Sequence, residues 1–125
     1  MPVREALKCA DRHGTRIALT CSEAFVVQSF GDAFLEAMGT AQLLFCNTTE
    51  ACAVTNSASA AEAFGKLKDM VPECIVTDGP SGAFVRYGGV ETHVAAYPCE
   101  PKDMTGAGDM LAGAFLYGIT QGIAP

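Results

Sequence analysis

QLLFC at residues 42–46 is the stretch that decides the fold, because it is a nearly continuous apolar run of strand length. A strand whose side chains are almost all apolar is typical of a parallel sheet that is covered on both faces. Polar residues, NTTE at 47–50, follow at once and open a short predicted helix over 48–54. We therefore expect residues 42–46 to form an inner strand, with a helix leading away from its carboxyl end.

The same alternation of strand and helix extends to both sides of this run. Residues 16–20 and 73–77 are further strand candidates, and the segments between the strands carry apolar residues at helical spacing. The predicted helices run over 2–13, from a capping box of Thr20 and Glu23 to Gly39, and from a capping box of Ser59 and Glu62 to Val71. Strands that alternate with helices predict a mostly parallel sheet.

The pattern changes after the third strand. Turn residues, DGPSG at 78–82, lead into strand candidates at 83–87 and 90–95, which Gly88-Gly89 joins into a predicted hairpin. The sequence therefore predicts an α/β fold: a layered, Rossmann-like α/β/α arrangement with a mostly parallel sheet and a β-hairpin.

Length and composition exclude several classes of protein. The chain has 125 residues, 50% of them hydrophobic, and a net charge of −6, which fits at most one globular domain. The negative charge argues against a nucleic-acid or anionic-membrane surface, and no apolar run has the length of a membrane span. Six cysteines without a C-x-x-C pair favour buried thiols in a reducing compartment, so we expect a cytoplasmic protein.

DMTGAGD at residues 103–109 has the composition of a phosphate-binding loop that opens a helix. Gly106 and Gly108 allow the backbone to approach an anion, and the free N–H groups and dipole of a helix N-terminus favour negative charge. Asp109 would be repelled by the same anion unless it acts as a base in phosphoryl transfer. The helix that follows, to near Gln121, has a wide apolar stripe that predicts burial between the sheet and neighbouring helices.

Two further polar segments follow strands, and each has both a structural and a functional interpretation. Asn47 and Glu50 form either a helix cap or a site for phosphate and a Mg²⁺-bound water; alone, the tetrapeptide favours the cap. Residues 77–82 form either a plain turn or the wall of a nucleotide site, and again the turn is favoured. Because Asp78 would repel a triphosphate, we expect it to point to solvent. All these loops are expected at one edge of the sheet.

DMTGAGD resembles the second signature of the ribokinase-like carbohydrate and nucleoside kinases, the pfkB family, which usually reads D-T-x-G-A-G-D or D-x-x-G-A-G-D. N-x-x-E at 47–50 and T-x-G-x-x-G at 77–82 stand in the order in which that family has its own motifs. The similarity extends from residue 16 to about 121, and 22–38 is similar to the adenosine-kinase-like branch. Met104 and Met110-Leu111 depart from the usual residues without removing a charged or donor group.

The resemblance implies an ATP-dependent phosphotransferase acting on a hydroxymethyl group of a sugar or nucleoside. Asp109 would take the proton from the attacking hydroxyl. The anion hole for the transferring phosphoryl group would consist of Gly106, Ala107 and Gly108.

The resemblance also implies binding sites for ATP, Mg²⁺ and, as in some members, K⁺. The positions for Mg²⁺ and the phosphates are Asn47 and Glu50, the latter through a metal-bound water. The positions that line the ATP site are Thr77, Gly79 and Gly82. The positions for a monovalent cation are Asp103 and Thr105.

Members of the family are much longer chains. The resemblance therefore implies that residues 1–125 are the C-terminal portion of a kinase domain, without the substrate-binding and lid region that precedes it and without the extreme C-terminus. Its partner would be a small-molecule sugar or nucleoside, and a homodimer would form through the lid. The alternatives are a non-catalytic nucleotide-binding fragment or degenerate homologue, and a purely structural α/β domain.

Overall fold

The structure, a computed structural model, describes residues 2–124. The helices are α1 Pro2–His13, α2 Ala24–Thr40, α3 Thr48–Thr55, α4 Ala60–Leu67 and α5 Ala107–Thr120. The strands are β1 Ala18–Thr20, β2 Leu43–Asn47, β3 Glu73–Thr77, β4 Ala83–Tyr87 and β5 Val90–Val94. Every predicted strand is present, with ends displaced by at most two residues.

The five strands form one sheet in the order β1-β2-β3-β4-β5. Strands β1, β2 and β3 are parallel, whereas β4 and β5 add an antiparallel hairpin. All of β2 except Asn47 is buried, as expected of a strand that is covered on both faces. The predicted α/β fold, with a mostly parallel sheet and a β-hairpin, is confirmed.

Helices cover both faces of the sheet. On one face, α2, α3 and α4 pack against buried strand residues such as Leu44, Cys74 and Val76. On the other face, Phe115 of α5 packs against a cluster that includes Phe45. Burial raises the pKa of the Cys74 thiol to about 11, so the thiol stays protonated and packs as a small hydrophobic group. None of the helices between residues 2 and 124 combines the length and the apolar character that crossing a bilayer requires.

Helix α2 begins later than its predicted capping box, and that prediction was wrong. Its N-cap is Glu23, with no hydrogen bond from a side chain. The chain stays extended beyond β1, because the Cys21 N–H donates to the Phe45 carbonyl at 3.2 Å. The Thr20 hydroxyl accepts instead from the Ser22 N–H at 3.4 Å. The helix also continues through Gly39, so the predicted stop is one residue early.

Helix α5 is much more exposed than its apolar stripe predicts, and the prediction of burial was also wrong. None of its residues is buried, and Met110 is 75% exposed. The helix is nevertheless anchored, because the Phe115 ring lies edge-on to Phe45 at 5.8 Å and to Tyr87 at 5.3 Å between centroids. The stripe shows which side chains favour burial, but the described elements cover only the side that faces the sheet.

Candidate active site

The carboxyl ends of β1, β2 and β3 meet the loop before α5 at one edge of the sheet. In the parallel register Asn47 lies opposite Thr77, so the polar residues that follow β2 and β3 are neighbours. Two adjacent clefts, of about 230 Å³ and about 830 Å³, lie at this edge. Residues that line both are Asn47, Thr77, Met104, Ala107, Gly108 and Leu111. The structure thus brings all three predicted motifs together.

The two clefts divide the remaining predicted residues between them. Glu50, Gly106 and Asp109 line only the smaller cleft. Gly79 and Gly82 line only the larger cleft. The start of α5 therefore lies between the smaller cleft, which contains the candidate base, and the larger cleft, which contains the glycine-rich turn.

The loop before α5 has the geometry of an anion site. Gly106 is the N-cap and has a φ of +77°, in the left-handed region that favours glycine. The first hydrogen bond of the helix is donated by the Met110 N–H to the Gly106 carbonyl, at 2.9 Å. Among residues 2–124, the N–H groups of Gly108 and Asp109 have no backbone acceptor. They are therefore available to an anion, as the first N–H groups of a helix generally are.

Asp109 lies in the first turn of α5 and is exposed. Its carboxylate forms no ion pair within the described part of the chain. A carboxylate that no cation holds is free to accept a proton from a ligand in the smaller cleft.

Asn47 and Glu50 form a complete capping box at the start of α3. The Asn47 Oδ1 accepts from the Glu50 N–H, and the Glu50 Oε2 accepts from the Asn47 N–H, both at 2.9 Å. The structural interpretation of this motif is confirmed. The functional one stays a prediction, because both residues also line the smaller cleft and Glu50 is only 6% exposed.

Asp78 does not point to solvent, so this expectation was wrong. The residue is half-buried, and its Oδ1 accepts from the Thr48 hydroxyl at 2.6 Å. The hydroxyl also lies 3.1 Å from the Thr77 carbonyl oxygen. The pairing of β2 with β3 places these two loops side by side, which the order of residues along the chain does not reveal.

Gly82 has a steric role in addition to its place in the larger cleft. Its φ is +102°, and a Cβ there would overlap the carbonyl oxygen of Val94 on the neighbouring strand β5. We expect Gly82→Ala to lower the free energy of unfolding by about 2–4 kcal/mol, measured by urea denaturation. Gly89→Ala is the control, since φ is +78° but nothing lies within 4 Å; it should cost about 1 kcal/mol. Equal losses would exclude the overlap as the cause.

Asp103 and Thr105, predicted at a cation site, line neither of the two clefts. The Thr105 N–H donates to Asp103 Oδ1 at 2.9 Å, and this bond holds the pKa of the Asp103 carboxyl below its usual range. In the part of the chain that the structure describes, no three His, Cys, Asp or Glu side chains converge as a metal site. A single carboxylate that contacts Mg²⁺ through a water would not be detected as such a cluster, so the predicted role of Glu50 stays a prediction.

Thr20 and Ser22 also line the smaller cleft, and the sequence did not identify them as site residues. Ser22 has a φ of +62°, which is uncommon for a residue other than glycine. Their position at the carboxyl end of a parallel strand was the available signal.

Comparison with known proteins agrees with the motifs. Residues 3–123 match the pfkB family carbohydrate kinases, and a comparison with curated proteins gives no match. Among solved structures, the chain is similar to the adenosine kinase of Sinorhizobium meliloti, with 34% identity and a TM-score of 0.87. It is also similar to an E. coli protein assigned as a ribokinase II, in complex with ATP and Mg²⁺, with 25% identity and a TM-score of 0.83.

A third similar structure is a fructokinase double mutant of Vibrio cholerae O395 bound to fructose, ADP and a potassium ion, with 25% identity and a TM-score of 0.79. The matches cover 98%, 97% and 90% of this chain and 38%, 41% and 38% of the three structures, in the order given. The chain therefore spans less than half the length of each.

Proposed function

The chain belongs to the pfkB family of carbohydrate kinases, and on that premise we propose that it is the C-terminal portion of an ATP-dependent sugar or nucleoside kinase. The observation that carries the proposal is the pair of adjacent clefts that share the start of α5. ATP occupies the larger cleft, and the acceptor hydroxyl occupies the smaller one beside Asp109. The phosphoryl group crosses from one to the other over Gly106, Ala107 and Gly108.

The chemistry needs positioning and stabilisation of charge more than covalent catalysis. The acceptor hydroxyl passes its proton to the Asp109 carboxylate while its oxygen forms a bond to the γ-phosphorus. The bond between that phosphorus and the bridging oxygen breaks, and ADP leaves. The N–H groups of Gly108 and Asp109 donate to no backbone carbonyl of residues 2–124. They stabilise the negative charge on the transferring phosphoryl group without reorganising.

Mg²⁺, when bound with ATP, would neutralise phosphate charge, and Glu50 would hold it through a water. Asn47 would donate its side-chain amide to a phosphate oxygen. Thr77, Gly79 and Gly82 would line the nucleotide. Asp103 and Thr105 would help to bind K⁺, which the potassium-bound fructokinase supports by analogy.

The acceptor can be identified by an ADP-release assay on the kinase that contains this chain. The panel is adenosine, other nucleosides, ribose and fructose, each with ATP and Mg²⁺. The 34% identity to an adenosine kinase leads us to expect the highest kcat/KM with adenosine. Release of ADP that depends on none of these acceptors would contradict the proposed function.

A non-catalytic nucleotide-binding module is the second candidate, because the chain matches less than half of each similar kinase. Calorimetry with ATP and Mg²⁺ on the 125-residue chain separates the candidates when combined with the assay. Binding by the chain, together with acceptor-dependent ADP release by the longer protein, supports the kinase. Binding without such release in either protein supports the module.

Asn47→Asp separates the helix cap from the phosphate contact. Aspartate caps a helix about as well as asparagine, so the free energy of unfolding should stay within about 0.5 kcal/mol of the wild-type value. The change replaces an amide donor with a negative charge, so the Kd of ATP should rise about tenfold, measured by calorimetry. Asn47→Ala, which loses the cap as well, should cost about 1 kcal/mol. An unchanged Kd in Asn47→Asp would limit Asn47 to capping.

A further inference from the structure

Asp78 is a carboxylate on the wall of the larger cleft, where a polyphosphate would be repelled. It is the first residue after β3, is half-buried and lines only this cleft. Among residues 2–124 no cationic side chain forms an ion pair with it. Its partner is a neutral hydroxyl, that of Thr48, which lies 2.6 Å from Oδ1.

This arrangement leaves Oδ2 without a hydrogen bond from the residues that the structure describes. A carboxylate accepts hydrogen bonds at both oxygens, and those from hydroxyl donors to a charged acceptor are strong. Because Thr48 holds one oxygen and belongs to the first turn of α3, the carboxylate is oriented rather than free to rotate. The part of a ligand that lies against Asp78 must therefore carry donors and no negative charge.

The residues that line the cleft next to Asp78 indicate which part of a nucleotide meets this requirement. Asn47 and Thr77 line both clefts and so belong to their shared wall. Thr48 directly follows Asn47, and Asp78 directly follows Thr77. The shared wall is where the proposed function places the phosphates. Pro80 and residues 94–96 line the larger cleft and not the smaller one, and all of them are apolar. The ribose is the part of a nucleotide that joins its phosphates to its base, and it carries two vicinal hydroxyls.

We propose that Asp78 is a specificity-determining residue that accepts hydrogen bonds from the ribose hydroxyls of the nucleotide, with Thr48 as the residue that positions its carboxylate. The inference rests on the proposed function, because it requires the larger cleft to bind a nucleoside triphosphate. It explains why a carboxylate is compatible with a nucleotide site: the phosphates and Asp78 contact opposite sides of the ribose.

The test is calorimetry of the full chain with ATP, 2′-deoxy-ATP, 3′-deoxy-ATP and ITP, each with Mg²⁺. The wild-type chain should bind ATP about 10- to 100-fold more tightly than at least one deoxy analogue, because a hydrogen bond to a charged group is lost. ITP has a different base but the same ribose as ATP, so it should not show the loss of affinity expected of the deoxy analogues. These wild-type measurements do not depend on whether any variant folds.

Three variants then assign the discrimination to the side chain. In Asp78→Ala the ratio of the deoxy-analogue Kd to the ATP Kd should fall to about one, and in Asp78→Asn it should fall to a few-fold. Thr48→Val keeps the carboxylate but frees its rotation, so the ratio should decrease without disappearing. Asp69→Asn, at an exposed turn outside both clefts, is the matched control and should keep the wild-type ratio.

The outcomes separate this inference from the proposed function. Tight ATP binding without discrimination against either deoxy analogue, or discrimination that Asp78→Ala retains, overturns the role of Asp78 and leaves the nucleotide site in place. Discrimination against ITP alone, or an altered Mg²⁺ dependence in Asp78→Asn with an unchanged ratio, also overturns it, because the carboxylate then faces the base or the metal. Absence of any ATP binding overturns both.

Discussion

Asp109→Asn is expected to lower kcat by about 10³-fold in the proposed longer kinase, with the Kd of ATP nearly unchanged. Asparagine has the same shape as aspartate but cannot take the proton from the acceptor hydroxyl. The side chain lines only the smaller cleft, so the substitution leaves the wall of the larger cleft intact. The measurement is ADP release at saturating ATP and acceptor, together with calorimetry for ATP.

Asp32→Asn is the matched control, since Asp32 is an exposed aspartate of α2 that lines neither of the two clefts. It should leave kcat and the Kd of ATP at their wild-type values. A kcat of Asp109→Asn within about tenfold of wild type would remove Asp109 from the role of base. A parallel loss of ATP affinity would instead indicate that the residue supports nucleotide binding.

Gly108→Val is expected to lower kcat/KM by about 10²-fold without unfolding the protein. Nothing lies within 4 Å of a Cβ built at Gly108, and its φ is not in the left-handed region. The fold therefore accepts a side chain there. The branched side chain would instead occupy the space from which a phosphoryl group approaches the free N–H groups at the start of α5.

Gly113→Val provides the control within the same helix. Gly113 also has nothing within 4 Å of a built Cβ, and it lines neither cleft. Both substitutions replace glycine by valine in α5, so their effects on helix propensity are comparable. Urea denaturation should give similar free energies of unfolding for the two variants, and only Gly108→Val should lose activity. Equal activities would contradict the anion hole.

Gly106 would be a poorer test of the same idea. Its φ of +77° is strained for any other residue, so a substitution there would change the stability of the loop and its activity together. The distinction between Gly106 and Gly108 depends on backbone angles, which the sequence G-A-G at 106–108 does not reveal.

Local features of the fold were predictable from the sequence because their causes lie within a few residues. The apolar run at 42–46 became the buried strand β2, displaced by one residue. The Asn47–Glu50 capping box formed as predicted, since both partners belong to one helical turn. The capping interaction at α4 formed in part: Ser59 accepts from the Glu62 N–H at 3.2 Å, whereas the Glu62 carboxylate bonds to the Ala58 N–H at 3.0 Å.

The sequence by itself also determined which loops could form the candidate site, because parallel strands place their carboxyl ends at one edge. The tertiary structure decided what each residue meets there. It turned Asp78 towards Thr48, 30 positions away in the chain, and placed Gly82 against Val94. It also left α5 covered only on the side that faces the sheet. These outcomes depend on contacts between strands and layers, whose distances are set by packing rather than by the pattern of neighbouring residues.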